Sequence, residues 1–251
     1  MKISEYLKST VLATALIVAF AGSAAAEPDA TSTVSITKRY RLPFQTQLLN
    51  DLPKEDKSAV TIRNSTENWK PAETAIIVCD MWTQHGCTHA TARLRELAPA
   101  VNDVITAARE KGILIIHAPS GGMGYYPNSL PARKTAEKFR KGMGDSQHWP
   151  NWEHTSPSEK GIPFPVDSRD GGCPDCKGGK NNYKETDLLT IKDTDVLTDD
   201  FVEIKDYTKF KGIKNIIIMG VHTNMCIIGR PFGLRAMRKA GYNTVLMRDM
   251  T

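Results

Sequence analysis

The chain of 251 residues is poor in the features that would place it in a non-globular class. Aromatic residues make up 7% and there are only five cysteines, so this is no disulfide-stapled scaffold. No run of Lys or Arg exceeds two residues, so the net charge of +5 does not by itself announce a nucleic-acid binder. The longest apolar run, VLATALIVAFAG at 11–22, has 12 residues. A bilayer-spanning helix needs about 20. No duplicated repeat is present. Hydrophobic residues at 40% and charged residues at 24% exclude a disordered tract, a collagen-like fibre and a coiled coil, and fit one or two globular domains.

The start of the chain reads as a removable leader. Lys2 and Lys8 precede the apolar run, and SAAA follows it before Glu27 and Pro28. A charged start, a short greasy core and small residues at a cleavage point make a secretory signal peptide of residues 1–26. The expected location is periplasmic or secreted, with no stable membrane span after cleavage. In that setting an odd number of cysteines leaves one thiol unpaired or paired between chains.

Residues 27–73 are polar and broken by prolines, with a strand pair expected around TSTVSITKRYRL and AVTIR. They read as an N-terminal β-rich appendage to a main domain over 74–251. In that domain AIIVC (75–79), ILIIH (113–117), IIIMG (216–220) and TVLM (244–247) are short continuous apolar runs. Such runs fit strands buried on both faces of a parallel sheet. Leu94, Leu97, Val101, Val104, Ile105 and Ala108 share one helical face. A second helix is expected from Thr198, as N-cap, to Lys211, and a third from Cys226 to Ala240. Each helix runs into a strand through one glycine: EKGILII, FKGIKNIII and KAGYNTVLM. Glycine takes the left-handed conformation that ends helices. The fold class is therefore α/β, an open parallel sheet with helices on both faces. Residues 118–187 interrupt the pattern as a long insertion with a helix near 132–141. The last strand is followed only by Arg248–Thr251, so the usual covering helix is expected to be missing.

Open parallel sheets bind ligands beyond the carboxyl ends of their strands. Asp80 follows AIIVC, His117 ends ILIIH, and GVHTNMC carries His222, Thr223, Met225 and Cys226 to a helix start. These groups should meet at one rim. A helix N-terminus favours thiolate, so Cys226 is expected to have a depressed pKa and to act as a nucleophile with Asp80 as proton acceptor. On placement alone, a small buried apolar residue accounts for it equally well.

GVHTNMC, with the following helix and GYNTVLMRD, resembles the nucleophile region of the isochorismatase-like cysteine hydrolases. AIIVCDM and KGILIIH resemble that family's first two strands. The resemblance covers about 74–117 and 187–251. It implies a three-layer Rossmann-like fold, a small-molecule substrate, possible homo-oligomers and a triad of Asp, Lys and Cys. Asp80 would be the base and acid, and Cys226 would form a thioester. DLLTIK (187–192) matches the segment that carries the family's lysine at the end of the third strand, which nominates Lys192, with Lys184 and Lys134 as substitutes. The Ser-Ala-Phe that follows this lysine in the family is missing. No cofactor and no metal is implied, because the Asp-x-His spacing of the nicotinamide-deamidating members is absent after His117. His117, His222, Thr223 and Met225 would contact substrate.

The resemblance implies an exported hydrolase cleaving a C–N bond of a small amide or related compound. Vinyl-ether cleavage, which needs no cysteine, is an alternative, as is a non-catalytic binding or scaffold protein that keeps the fold. Other clusters are weaker. His85, Cys87 and His89, with His117, could ligate a transition metal, but lining a pocket or capping the next helix accounts for them better. Cys173-Pro-Asp-Cys176 reads as a local disulfide or loose loop more readily than as a redox pair or half of a metal site. GGMG (121–124) lacks the rest of a phosphate loop. Tyr125, Tyr126, Trp149 and Trp152 could form a lid over the site or the insertion's own core.

Overall fold

The structure is a computed structural model that describes residues 32–41, 62–140, 179–223 and 225–251. The leader-like segment, Cys173, Cys176, Trp149 and Trp152 lie outside the described residues.

Strands β1 (Val34–Arg41) and β2 (Ile62–Trp69) pair antiparallel, from Val34 opposite Trp69 to Arg41 opposite Ile62. β3 (Thr74–Cys79) then opens the main sheet. β4 (Trp82–Gln84) leads to helix α1 (Thr88–Glu110), which is followed by β5 (Leu114–Ala118) and α2 (Pro131–Arg140). β6 (Asn182–Glu185) pairs antiparallel with β4. β7 (Val196–Leu197), α3 (Phe201–Phe210), β8 (Asn215–Gly220), α4 (Cys226–Gly229), α5 (Leu234–Lys239) and β9 (Asn243–Leu246) complete the order.

The five strands β7-β5-β3-β8-β9 form one sheet in which every pairing is parallel. Its strands alternate between two cores. Ala75, Ile77 and Cys79 of β3 face α2, α3, α4 and α5 through Ala136, Ile204, Cys226, Ile227 and Met237. Ile76 and Val78 face α1 through Leu94, Ala98, Val101 and Ile105. Burial on both faces explains the unbroken apolar runs, since neither face meets water. Gly112, Gly212 and Gly241 end the helices at positive φ, as the repeated punctuation requires. Among the described residues no helix is long and apolar enough to cross a membrane.

Three expectations are corrected. The cap of α3 is Asp200, not Thr198. Its Oδ1 accepts from the backbone N–H groups of both Val202 and Glu203, while Thr198 Oγ1 accepts from Asp200 N and donates to Glu203. The helix expected over 226–240 is two short helices. Pro231 drives the preceding Arg230 to φ −62°, ψ 154°, out of the helical region. The third strand of the sheet is Val196–Leu197, so Lys192 precedes it instead of ending it.

The chain runs outward from β3 to β5 and β7, then crosses back to place β8 on the other side of β3. The strand order therefore reverses between β3 and β8, and their carboxyl ends flank the crevice where such sheets bind ligands. Gly220 closes β8 at φ +111°, and a Cβ there would run into the carbonyl of Cys79. Only glycine fits this approach of the two strand ends. Gly212, at φ +69°, has open space around it. Chemical denaturation should therefore separate two alanine variants. Gly212→Ala should cost about 1–2 kcal/mol, the price of the left-handed backbone alone. Gly220→Ala should cost about 3 kcal/mol or more, because backbone must also move.

Candidate active site

Asp80 follows β3 directly. It is fully buried and has φ +49°, an uncommon backbone conformation for a residue other than glycine. Its N–H donates to Ala118 O at the end of β5, and its own carbonyl accepts from Trp82 N. The kinked backbone turns the carboxylate into the crevice between β3 and β8. There Oδ1 accepts from Ser120 N at 2.7 Å, and Oδ2 accepts from Arg230 Nε at 3.0 Å.

The thiol of Cys226 lies beside the Asp80 side chain, close enough for the two to interact electrostatically. Cys226 starts α4 and is 5% exposed. The expectation of a depressed pKa is reversed. Burial and then the neighbouring Asp80 charge push the thiol up to about 12, against the opposing pull of Arg230 and of the His222 backbone. The reason is local. α4 is a single turn of four residues, too short to develop a substantial dipole, and a carboxylate at the sulfur disfavours a second negative charge. At neutral pH Cys226 therefore rests as the thiol.

The structure brings Asp80 and Cys226 together, but the cation beside them is Arg230. Lys192, Lys184 and Lys134 are all exposed. Lys192 approaches the interior only through its backbone, whose N–H donates to Asp195 Oδ2. Sequence reasoning missed Arg230 because it was taken as one residue within a continuous helix. The signal was Pro231, next in the chain. A helix that reaches a proline releases the residue before it, and here that residue bends back to Asp80. Its guanidinium lies 5.9 Å from the centre of the Trp82 ring.

His222 is half-buried, with its ring 4.6 Å from that of His85, which stacks on Trp82 at 4.6 Å. Thr223 is exposed and hydrogen-bonds Thr251, and Met225 packs partly against the core beside Cys226. Cys87 caps α1, its sulfur accepting from Ala90 N at 3.5 Å, while His89 is exposed. Among the described residues no group of three or more His, Cys, Asp or Glu is arranged to hold a metal ion.

His117 does not open into the site. In β5 its neighbours Ile116 and Ala118 face the α3 side, so His117 faces α1, where it is wholly buried. Nδ1 lies 2.9 and 3.0 Å from the two oxygens of Glu185, and Nε2 lies 3.4 Å from Asp195 Oδ2. Arg109 clamps the same Asp195 through Nε at 2.9 Å and Nη2 at 2.8 Å. Burial alone would lower the imidazole pKa, but Glu185 and Asp195 outweigh it and raise it to about 9. His117 is thus a buried imidazolium that ties β6 and the loop before β7 to β5.

No protein-family model and no curated protein matches the chain. Three solved structures are similar in shape. A cysteine hydrolase from Pseudomonas syringae pv. phaseolicola 1448A is 16% identical, with 73% of this chain and 75% of that one covered at a TM-score of 0.41. An isochorismatase family protein is 14% identical over 71% and 80%, with a TM-score of 0.39. A pyrazinamidase of Pyrococcus horikoshii in complex with zinc is 18% identical over 71% and 86%, with a TM-score of 0.38. The chemistry of this chain rests on its own residues.

Two predictions follow from these charges. The raised pKa of His117 means that the folded state holds a proton the unfolded chain releases near pH 6.5. The stabilisation, about 3 kcal/mol at most, is complete below that pH and is lost as pH rises through 9. The denaturation midpoint should fall between pH 7 and 10 in the parent and much less in His117→Gln. For Cys226, alkylation by iodoacetamide, followed by peptide mass spectrometry, should be slow at pH 7. In Asp80→Asn it should become faster, because the repelling charge goes and Arg230 stays.

Proposed function

We propose that the protein is an exported cysteine hydrolase that cleaves a C–N bond of a small amide or related substrate. The observation that carries the reading is the meeting of the Cys226 thiol with the buried Asp80 carboxylate at the reversal point of the sheet. A nucleophile beside a base that is itself fixed by two donors is the arrangement nucleophilic catalysis requires. The resemblance of GVHTNMC and AIIVCDM to the isochorismatase-like hydrolases supports the same assignment, and the leader-like residues 1–26 support export.

The resting thiol fixes the order of events. As Sγ attacks the carbonyl carbon, its proton passes to Asp80. A tetrahedral oxyanion forms. Collapse expels the amine, which takes the proton back from Asp80 and leaves an acyl thioester on Cys226. Water then attacks the thioester with Asp80 again accepting a proton. The acid departs and the thiol returns. Because the nucleophile is not ionised beforehand, both halves of the cycle depend on Asp80.

A panel of small primary amides and cyclic imides, assayed for ammonia or amine release, tests the reading. Cys226→Ala should lower kcat about 10³-fold or more, and Asp80→Asn about 10²–10⁴-fold. Rapid acid quench of the parent should show the acyl adduct on the Cys226 peptide. Hydrolysis within tenfold of the parent in Cys226→Ala would falsify the thioester route and leave Asp80 acting alone as an acid, as vinyl-ether cleavage would need.

A further inference from the structure

We propose that Arg230 is the positioning cation of this site, taking the place of the expected lysine, and that the Arg-Pro turn after α4 exists to deliver it to Asp80. The inference rests on the reading of Cys226 and Asp80 as the reacting pair. It extends that reading to a residue in a different segment of the chain from the expected lysine.

The geometry is specific. Arg230 N donates to Cys226 O at 3.0 Å, the last helical bond of α4, so the two residues are one turn apart on the same element. Pro231 then fixes the extended backbone of Arg230. Gly233 N returns to Arg230 O at 2.7 Å, and a Cβ on Gly233 would stand 2.7 Å from Ile227 O and 3.0 Å from Arg230 O. The R-P-F-G turn is therefore packed against α4 too closely for a side chain at its last residue. Phe232, 1% exposed, anchors it in the core. This rigid turn sends the Arg230 side chain back along α4 to Asp80, with the Trp82 ring on one side of the guanidinium. Among the described residues, the charged and titratable groups that interact with Cys226 are Asp80, Arg230 and Cys79, and the Asp199 carboxylate acts on Asp80 from the loop before α3.

Two consequences follow for the reaction. The guanidinium holds the Asp80 carboxylate through Nε, so Oδ2 cannot rotate away when the thiol proton arrives. It also adds a positive charge that does not titrate in the working range, unlike an ammonium in a buried site. When negative charge moves from the carboxylate to the sulfur and on to the oxyanion, that charge stays beside a fixed cation. Arg230 touches Asp80 and acts through it, which makes it a positioning residue.

The test compares Arg230→Gln, Arg230→Lys and Lys192→Ala with the parent, using circular dichroism to establish folding. The first readout is the rate of Cys226 alkylation by iodoacetamide at pH 8, which needs no substrate. The second is the pH dependence of kcat on the best amide of the panel. Arg230→Gln should lower the alkylation rate about tenfold and lower kcat by about 10²-fold. Arg230→Lys should recover part of both, and Lys192→Ala should change neither. If Arg230→Gln does not fold, Arg230→Lys carries the test, since a shorter ammonium should shift the kcat pH profile while the fold persists. An unchanged alkylation rate in folded Arg230→Gln, an unchanged kcat pH profile in folded Arg230→Lys, or a loss of activity in Lys192→Ala would overturn the proposal. Failure of the thioester route shows instead as activity in Cys226→Ala, and leaves the alkylation readout intact.

Discussion

The structure depends on satisfying one carboxylate where water does not reach it. Asp80 is fully buried, and an unpaired charge there would cost several kcal/mol. Its two donors and the neighbouring thiol come from three places. Ser120 N follows β5, Arg230 follows α4, and the Cys226 thiol opens α4 after β8. None is close to Asp80 in sequence. The reversal of strand order around β3 lets them converge, because it puts the ends of β5 and β8 on either side of the end of β3.

The same carboxylate decides the state of the nucleophile. A thiol at the start of a long, exposed helix can rest as thiolate and needs no base. At the start of a buried single turn, beside an anion, it cannot. The proton on Cys226 is the means by which two groups that would both be anions share a small space. Moving it to Asp80 relocates one negative charge and creates none, so attack on a carbonyl does not require a second buried anion at any point.

Much of the fold was legible in the residues. The four apolar runs are strands, the three helix–glycine–strand junctions stand where the text puts them, and β1 pairs with Ile62–Trp69, which shares only Ile62 and Arg63 with the expected AVTIR. Asp80 and Cys226 were legible because each lies directly beyond a strand whose identity was plain. The rest depended on smaller signals. β7 is two residues long, too short for any periodicity, and its position demotes Lys192. His117 was placed at the rim because a strand apolar on both faces carries no alternation to say which way a side chain points. Arg230 depended on the single proline that splits a helix, and Pro231 was passed over although its effect on the preceding residue is general.

The cluster around Asp80 and the cluster around His117 are kept apart by the sheet itself. Ala118 O receives the N–H of Asp80, so the end of β5 fixes the reacting carboxylate. One residue earlier, His117 points through the opposite face toward Glu185, Asp195 and Arg109. Glu185 in turn pairs in register with Trp82, two residues beyond Asp80. The imidazolium network thus braces the backbone on both sides of Asp80, while its own charges balance behind the sheet. A second cation on the reacting face would compete with Arg230 for the carboxylate and weaken it as a proton acceptor. With His117 on the far face, the support of Asp80 and the charge that tunes it become separate functions of adjacent elements.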